Sequence, residues 1–169
     1  GQTTASDTSF TSNAGDGIRL DLVGNVTLVD PLFDRVNASG NTGNGFSAFL
    51  DGNAVLPNVR IWRGAYNSNA QDGIHVEREG SSVIDNFRIG GRTVAGESLG
   101  NSINGNGDDG IELIARQANL VDDYIISDNS ISGNGASAAA TGRRGAHFRA
   151  EGDAQIDVDR PAGIELFED

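Results

Sequence analysis

The stretch NTGNGFSAFLDGNAVLPNVRIWRGAYNSNAQDGIHV, residues 41–76, contains one full period of a repeat, and the fold can be predicted from it. Gly45 opens the segment Gly-Phe-Ser-Ala, and Gly73 opens the equivalent segment Gly-Ile-His-Val. Apolar and other residues alternate after each glycine, which is the pattern of a β-strand with one buried face. A strand that returns at a fixed interval predicts a repeat protein.

The same glycine-led segment occurs repeatedly along the chain, beginning at Gly17, Gly45, Gly73, Gly110, Gly145 and Gly163. The interval from Gly17 to Gly45 equals the interval from Gly45 to Gly73, and the two superpose without gaps. Similar residues then coincide: Phe33 with Ile61, Arg35 with Arg63, and Asn41 with Asn69. Asparagines that recur at one turn are expected to form hydrogen bonds from repeat to repeat.

The later intervals differ in length from the first two. Those that begin at Gly73 and Gly110 are longer, which predicts loop insertions at residues 90–98 and 136–142. The last interval, from Gly145 to Gly163, is too short for a coil of the same length.

Each repeat contains several short apolar runs separated by Asn-Gly turns, with no helical segment. This combination predicts an all-β chain folded as a right-handed parallel β-helix, a solenoid of about five to six coils with roughly 28 residues in each. A β-sandwich also has short strands and turns, but it does not account for glycines that keep their register from repeat to repeat. We expect a single domain over residues 1–169.

Both ends of the chain are expected to be incomplete coils, at residues 1–14 and at residues 161–169, where the last residues could also form a cap. An open end of a β-helix exposes unpaired backbone and apolar core. Three interpretations follow. The chain is a segment of a longer helix, its ends are capped locally, or copies self-associate head to tail through the β-helix ends and build a filament.

The composition excludes several classes of function. The chain carries 24 acidic and 12 basic residues, a formal net charge of −12, which argues against nucleic acid as a partner. It contains no cysteine, so disulfides and thiolate metal sites are excluded. No apolar run approaches the ~20 residues of a membrane span, so we expect no membrane insertion.

Three stretches carry a resemblance to a known family: GDGIRLDLVGNVTLVD (15–30), the stretch 41–76 quoted above, and ISGNGASAAA (131–140). They resemble the later coils of the β-helical catalytic modules of secreted bacterial mannuronan epimerases. The resemblance implies an extracellular location and a substrate related to alginate, which is an anionic polysaccharide. Those enzymes use a tyrosine, an aspartate and a histidine around an Asp-Pro-His signature, together with an aspartate on the next coil. Asp21 matches that last aspartate by register, whereas the Asp-Pro-His coil has no counterpart in this sequence.

The glycine-led strands are expected to present two outward rows of side chains along the stack. The first row is Arg19, Ser47, His75, Glu112, His147 and Glu165. The second row is Asp21, Phe49, Glu77, Ile114, Arg149 and Phe167. A flat parallel sheet with polar and aromatic rows would suit an extended polysaccharide.

The segment TGRRGAHFRAEG (141–152) concentrates cationic side chains in an otherwise acidic chain. Arginine forks bind carboxylates well, so Arg143, Arg144, His147 and Arg149 are candidate residues for binding an anionic glycan. The alternative is that they pair with acidic residues of neighbouring strands: Glu112, Glu151 and Asp153.

A second candidate group surrounds His75, which lies two residues from Glu77 on one face of its strand. His75 could act as a base that Glu77 orients. The alternative is pairing across strands with Arg19 and Glu112. These four residues complete the candidate substrate-binding set.

The candidate catalytic residues are His147, His75 and Asp21, because histidine and carboxylate are the groups that abstract or donate a proton beside a uronate carboxylate. No tyrosine is expected on either outward row, since Tyr66 falls at a core position. That absence weakens a complete acid–base set.

The turn NGNGDDGIE (104–112) offers Asp108 and Asp109 together with backbone carbonyls, a set of ligands suited to calcium. The alternative is a plain turn. A zinc site is not expected, because the two histidines are widely separated in sequence and cysteine is absent. We expect no other cofactor.

Together these features favour a non-catalytic extracellular β-helix module, structural and facing a polysaccharide, that self-assembles head to tail. One alternative is a polyuronate epimerase or lyase, or a fragment of one. The other is a carbohydrate-binding module for anionic glycans.

Overall fold

The structure, a computed structural model, describes residues 3–91, 96–116, 121–135, 145–153 and 155–159. These residues form β-strands, turns and bends without a helix. The strands are β1 Thr4–Ser6, β2 Ile18–Gly24, β3 Leu32–Asp34, β4 Phe46–Gly52, β5 Val55–Pro57, β6 Arg60–Trp62, β7 Ile74–Arg78, β8 Val83–Asp85, β9 Phe87–Gly90, β10 Ser102–Asn104, β11 Ile111–Arg116, β12 Val121–Ser127, β13 Ser130–Ser132, β14 Ala146–Glu151 and β15 Gln155–Asp159. Over the described ranges, no helix has the length and apolar character needed to cross a membrane.

The strands form four sheets, and every pair among them is parallel. One sheet has the order β1-β3-β6-β9-β12-β15, and a second has the order β14-β11-β7-β4-β2. Two smaller sheets contain β5-β8 and β10-β13. Each strand therefore pairs with its equivalents in the neighbouring repeats. The all-β prediction with parallel strands is confirmed.

The predicted register is confirmed wherever the structure describes the strands. The residues that follow the glycines pair in order: Ile18 with Phe46, Phe46 with Ile74, Ile74 with Ile111, and Ile111 with Ala146. Phe33 also pairs with Ile61. The segment led by Gly163 and the range 136–142 lie outside the described residues.

The third repeat is longer than the first two, and the pairing locates the difference. Ile61 pairs with Ile89, which preserves the interval of the earlier repeats, whereas Ala65 bridges to Ser102 across a longer interval. The additional residues therefore lie between Ile89 and Ser102, beyond the end of β9.

The core lies between the sheets and takes every second side chain of the glycine-led strands. Phe46, Ile74 and Ile111 are fully buried, and each such side chain contributes about 1.5–3 kcal/mol of hydrophobic stabilisation. Ile18 and Ala146 are only partly buried, because β2 and β14 are the edge strands of their sheet. The inward slots Ile164 and Leu166 lie outside the described residues.

Aromatic side chains form a line through this core. The ring centroids of Phe33 and Phe46 are 5.1 Å apart, those of Phe46 and Phe87 are 6.4 Å apart, and those of Phe87 and Tyr124 are 5.6 Å apart. Tyr66 is fully buried as well, so its predicted core position is confirmed.

A column of asparagines, largely buried, runs along one corner of the stack, as expected for asparagines that recur at one turn. Each side-chain amide donates to the side-chain oxygen of the next, at 2.9, 3.1, 3.1 and 2.9 Å, in the order Asn13, Asn41, Asn69, Asn106 and Asn134. The backbone N–H groups of the first four donate to the same oxygens. The column therefore satisfies polar groups of the turns within the protein itself.

Candidate functional site

On the outer face of the five-stranded sheet, two histidines contact the same carboxylate. Arg19 pairs with Ser47, Ser47 with His75, His75 with Glu112, and Glu112 with His147 in strand register. Pairing of His75 with Glu112 is therefore confirmed, with Nδ1 of His75 2.9 Å from Oε2 of Glu112. Pairing of His75 with Arg19 is wrong, because β4 lies between β2 and β7 and places Ser47 between the two residues.

The ring of His75 is surrounded by carboxylates. Its Nδ1 also lies 3.2 Å from Oδ2 of Asp72, and its Nε2 lies 3.6 Å from Oε2 of Glu77. Burial disfavours the charged ring, but the hydrogen bonds with Asp72 and Glu112 outweigh burial and raise the pKa of His75 to about 9. His75 is therefore an imidazolium at neutral pH, without a lone pair to accept a proton as a base.

His147 repeats this arrangement two strands further along the sheet. Its Nδ1 lies 3.1 Å from Oε1 of Glu112 and 3.2 Å from Oδ2 of Asp109. Glu112 thus contacts one histidine with each of its oxygens. The hydrogen bond from His75 is the largest influence on this carboxyl and lowers the pKa of Glu112. We call Asp72, His75, Asp109, Glu112 and His147 the His–carboxylate cluster.

The two aspartates of the cluster are held by a second column of hydrogen bonds, formed by the residues that directly precede the strand-opening glycines. The N–H of Asp72 donates to Oδ1 of Asn44 at 2.9 Å, and the N–H of Asp109 donates to Oδ1 of Asp72 at 2.8 Å. Asp72 therefore uses one carboxylate oxygen for the backbone and turns the other toward His75. Burial is the main cause of the raised pKa of Asp72.

Asp72 is not among the candidates predicted from the sequence, although a signal for it exists there. It lies three residues before His75 and directly before Gly73, just as Asp109 lies three residues before Glu112 and directly before Gly110. In both cases the strand begins at the glycine, so the aspartate before it and the outward residue after it lie together at the start of the strand.

Arg116, at the end of β11, is also missing from the predicted residues, and it joins acidic residues of neighbouring strands or their continuations. It forms ion pairs with Glu77, with Glu79 at 3.1 Å and with Glu151 at 3.1 Å. Arg149 pairs with Glu151 at 3.0 Å. Both residues lie on β14, so this contact is within one strand, and the alternative prediction of pairing with acidic residues of neighbouring strands is not confirmed by it. Arg143 and Arg144 lie outside the described residues.

An open cleft of about 610 Å³ lies over the outer face of β2, β4 and β7 and the turns that precede them. Its lining is Ala14, Gly15, Asp16, Arg19, Thr42, Gly43, Asn44, Ser47, Phe49, Gln71, His75 and Glu77. Three of the predicted binding residues, Arg19, His75 and Glu77, line this cleft. The other described candidates, Glu112, His147 and Arg149, lie beside it on β11 and β14.

Arg19 and Asp21 form an exposed ion pair at the edge of the cleft. Nε of Arg19 lies 2.9 Å from Oδ2 of Asp21, and Nη1 lies 3.8 Å from Oδ2 of Asp16. Because exposed ion pairs are weak, a ligand carboxylate can compete for the guanidinium. Asp21 lies on β2, and β4 separates it from His75 on β7.

A third carboxylate, that of Asp72, lies beside the two predicted calcium ligands. Oxygens of Asp108, Asp109 and Asp72 lie within 4.8 Å of one another. The calcium hypothesis stays a prediction, to be tested by binding.

Comparison with known protein families, curated proteins and solved structures gave no match. The resemblance to mannuronan epimerases therefore depends on the three quoted stretches alone. The structural features that bear on function are the cleft and the His–carboxylate cluster.

Proposed function

We propose that this chain is a right-handed parallel β-helix module that binds an extended polysaccharide outside the cell. The repeated strand order supports the β-helix, because the sheets are built from equivalent strands of successive repeats. The main support for the proposed function is the open cleft, which is lined by residues of the adjacent strands β2, β4 and β7 and of the turns before them. Successive strands offer successive contacts to a linear chain of sugars.

The lining of the cleft suits an acidic, hydroxyl-rich ligand. Arg19 provides a guanidinium and His75 an imidazolium, which attract uronate carboxylates. The side chains of Asn44 and Gln71 supply amide donors and acceptors for hydroxyl groups. Phe49 is half-buried on the strand between those of the two cations, where its ring can pack on the apolar face of a sugar.

Binding of polyuronate oligosaccharides, measured by isothermal titration calorimetry beside a neutral glucan of equal length, tests the proposal. We expect affinity for the polyuronate that falls at least tenfold in Arg19→Ala and in Phe49→Ala. Arg88→Ala is the matched control, because Arg88 is an exposed arginine on β9 in another sheet. Absence of binding to either glycan, or equal affinity in all variants, would contradict a glycan site in the cleft.

The proposal is binding without catalysis. The imidazolium of His75 is unsuited to abstracting a proton, and His147 is engaged by two carboxylates. Incubation with alginate, with and without calcium, checks this point. A changed uronate ratio by NMR or new unsaturated chain ends would instead establish the epimerase or lyase alternative.

Head-to-tail assembly is part of the proposal and has its own test. Size-exclusion chromatography with light scattering at high protein concentration, together with electron microscopy, would detect oligomers or filaments. A strictly monomeric protein would remove assembly and leave the glycan-binding proposal intact.

A further inference from the structure

We propose that the His–carboxylate cluster is a binding site for a divalent transition metal ion, with Zn²⁺ or Mn²⁺ as the fitting ions. This site goes beyond the glycan proposal: it shares His75 with the cleft, but its other ligands lie on β11, on β14 and in the turns before β7 and β11. It is also chemically different from the predicted calcium site, because it contains imidazole nitrogen.

The ligand sets are two triads that share one residue. Asp72, His75 and Glu112 form the first, and Asp109, Glu112 and His147 form the second. In each triad one imidazole nitrogen and two carboxylate oxygens lie within 4.8 Å of one another. Nitrogen with carboxylate oxygen is a donor set that zinc and manganese accept, whereas calcium and magnesium take oxygen ligands.

The spacing of these donor atoms is close to that of a metal coordination shell. The imidazole nitrogens lie 2.9–3.2 Å from the four carboxylate oxygens that face them. Two ligand atoms that each lie about 2.0–2.1 Å from a tetrahedral zinc ion are about 3.3 Å apart. Replacing the shared proton by a metal ion therefore requires the nitrogen–oxygen separations to increase by only a few tenths of an ångström.

The carboxylates of the cluster outnumber its imidazole rings. Three carboxylates, those of Asp72, Asp109 and Glu112, converge on two imidazole rings, and their side chains are only 7, 6 and 19% exposed. Carboxylates withdrawn from water need compensating positive charge. Arg116, on the same strand as Glu112, is committed to Glu77, Glu79 and Glu151.

A second observation, independent of the acidic residues of the triads, concerns the far side of the His75 ring. A histidine that binds metal through one nitrogen commonly presents the other to a carboxylate, which fixes the ring and increases its basicity. Nε2 of His75 faces Oε2 of Glu77 at 3.6 Å, and Glu77 is held in turn by Arg116. His75 therefore has its Nδ1 directed at the triad and its Nε2 near a carboxylate, at ion-pair distance rather than hydrogen-bond distance.

The test is titration of the chelator-treated full chain with Zn²⁺, Mn²⁺ and Ca²⁺ by calorimetry, with metal content measured by mass spectrometry. We expect Zn²⁺ or Mn²⁺ to bind with one or two ions per chain and to remain bound in excess Ca²⁺. Glu112→Gln should abolish binding, because it removes the shared ligand. Glu77→Gln should weaken binding about 10- to 100-fold, as loss of a supporting carboxylate does. Asp85→Asn, at an exposed carboxylate on β8 in another sheet, is the control and should bind as the wild type does.

The wild-type protein supplies a measurement that does not depend on the folding of any variant. Nitrogen-15 NMR of the imidazole rings should report a change at Nδ1 of His75 and of His147 on addition of the metal ion. Absence of transition-metal binding, unchanged Nδ1 signals with metal bound, or equal affinity in the Glu112→Gln and Asp85→Asn variants would overturn the proposal.

Discussion

Nδ1 of His75 lies 2.9 Å from Oε2 of Glu112, across the parallel pair of β7 and β11. The two residues are distant in the chain, yet they are direct neighbours because the intervening residues make one lengthened repeat. Glu112 extends the contact to His147 on the next strand. One carboxylate thus connects three successive repeats on the outer face of the sheet.

Glu112→Gln in metal-free protein should destabilise the fold by about 1–3 kcal/mol, because hydrogen bonds to charged groups are worth about that much and both histidines lose a charged acceptor. The free energy of unfolding from urea denaturation measures the effect. Glu151→Gln is the control, since Glu151 lies on the same sheet but is exposed. Equal stability of the two variants would argue against the central role of Glu112.

The stability of the metal-free protein should fall as the pH rises from about 6.5 to above 9. The folded state raises the pKa of His75 from its ordinary value of 6.5 to about 9, so the folded state retains the proton more strongly than the unfolded chain does. The stabilisation is therefore complete below pH 6.5 and is lost as the pH passes through 9. Thermal unfolding across this range, in the presence of a chelator, measures it. His75→Gln should flatten the dependence, and an unchanged profile in that variant would assign the titration to another group.

Asn69→Ala should destabilise the protein by about 2–3 kcal/mol, because it leaves buried donors of Asn41 without an acceptor. Denaturant unfolding provides the measurement. Asn25→Ala, at an exposed asparagine, should change stability by less than about 0.5 kcal/mol. A small effect at Asn69 would mean that water replaces the column.

Gly45→Ala should destabilise the fold by about 1–3 kcal/mol through overpacking. A Cβ at this position would lie 2.6 Å from the carbonyl oxygen of Gly73 and 2.7 Å from that of Ala38, which are backbone atoms that cannot move aside. Gly15→Ala is the matched control, because its Cβ would meet nothing within 4 Å. If both variants unfold at the same denaturant concentration, close backbone approach is not the reason for the recurring glycine.

The close approach at Gly45 also explains why the fold could be predicted so far from the sequence. A glycine is required wherever the turn packs against the next repeat, so its recurrence marks the register directly. Alternation after the glycine then assigns Phe46, Ile74 and Ile111 to the core, because successive side chains of a strand point to opposite faces. The same alternation is less informative about the outer face. Ser47 and Ile114 occupy outward positions and are nevertheless buried, since the period of a strand does not specify what covers its outer side.

The repeat in the sequence was sufficient to predict the parallel strands, their partners and the inward side chains, because each follows from spacing along the chain. It did not predict that Asp72 and Asp109 turn their carboxylates toward His75 and His147. That convergence depends on side-chain orientation. For Asp72, the backbone N–H of Asp109 binds Oδ1 of the carboxylate, and Oδ2 faces His75. Such contacts join residues of different repeats, and they form only when the strands are stacked.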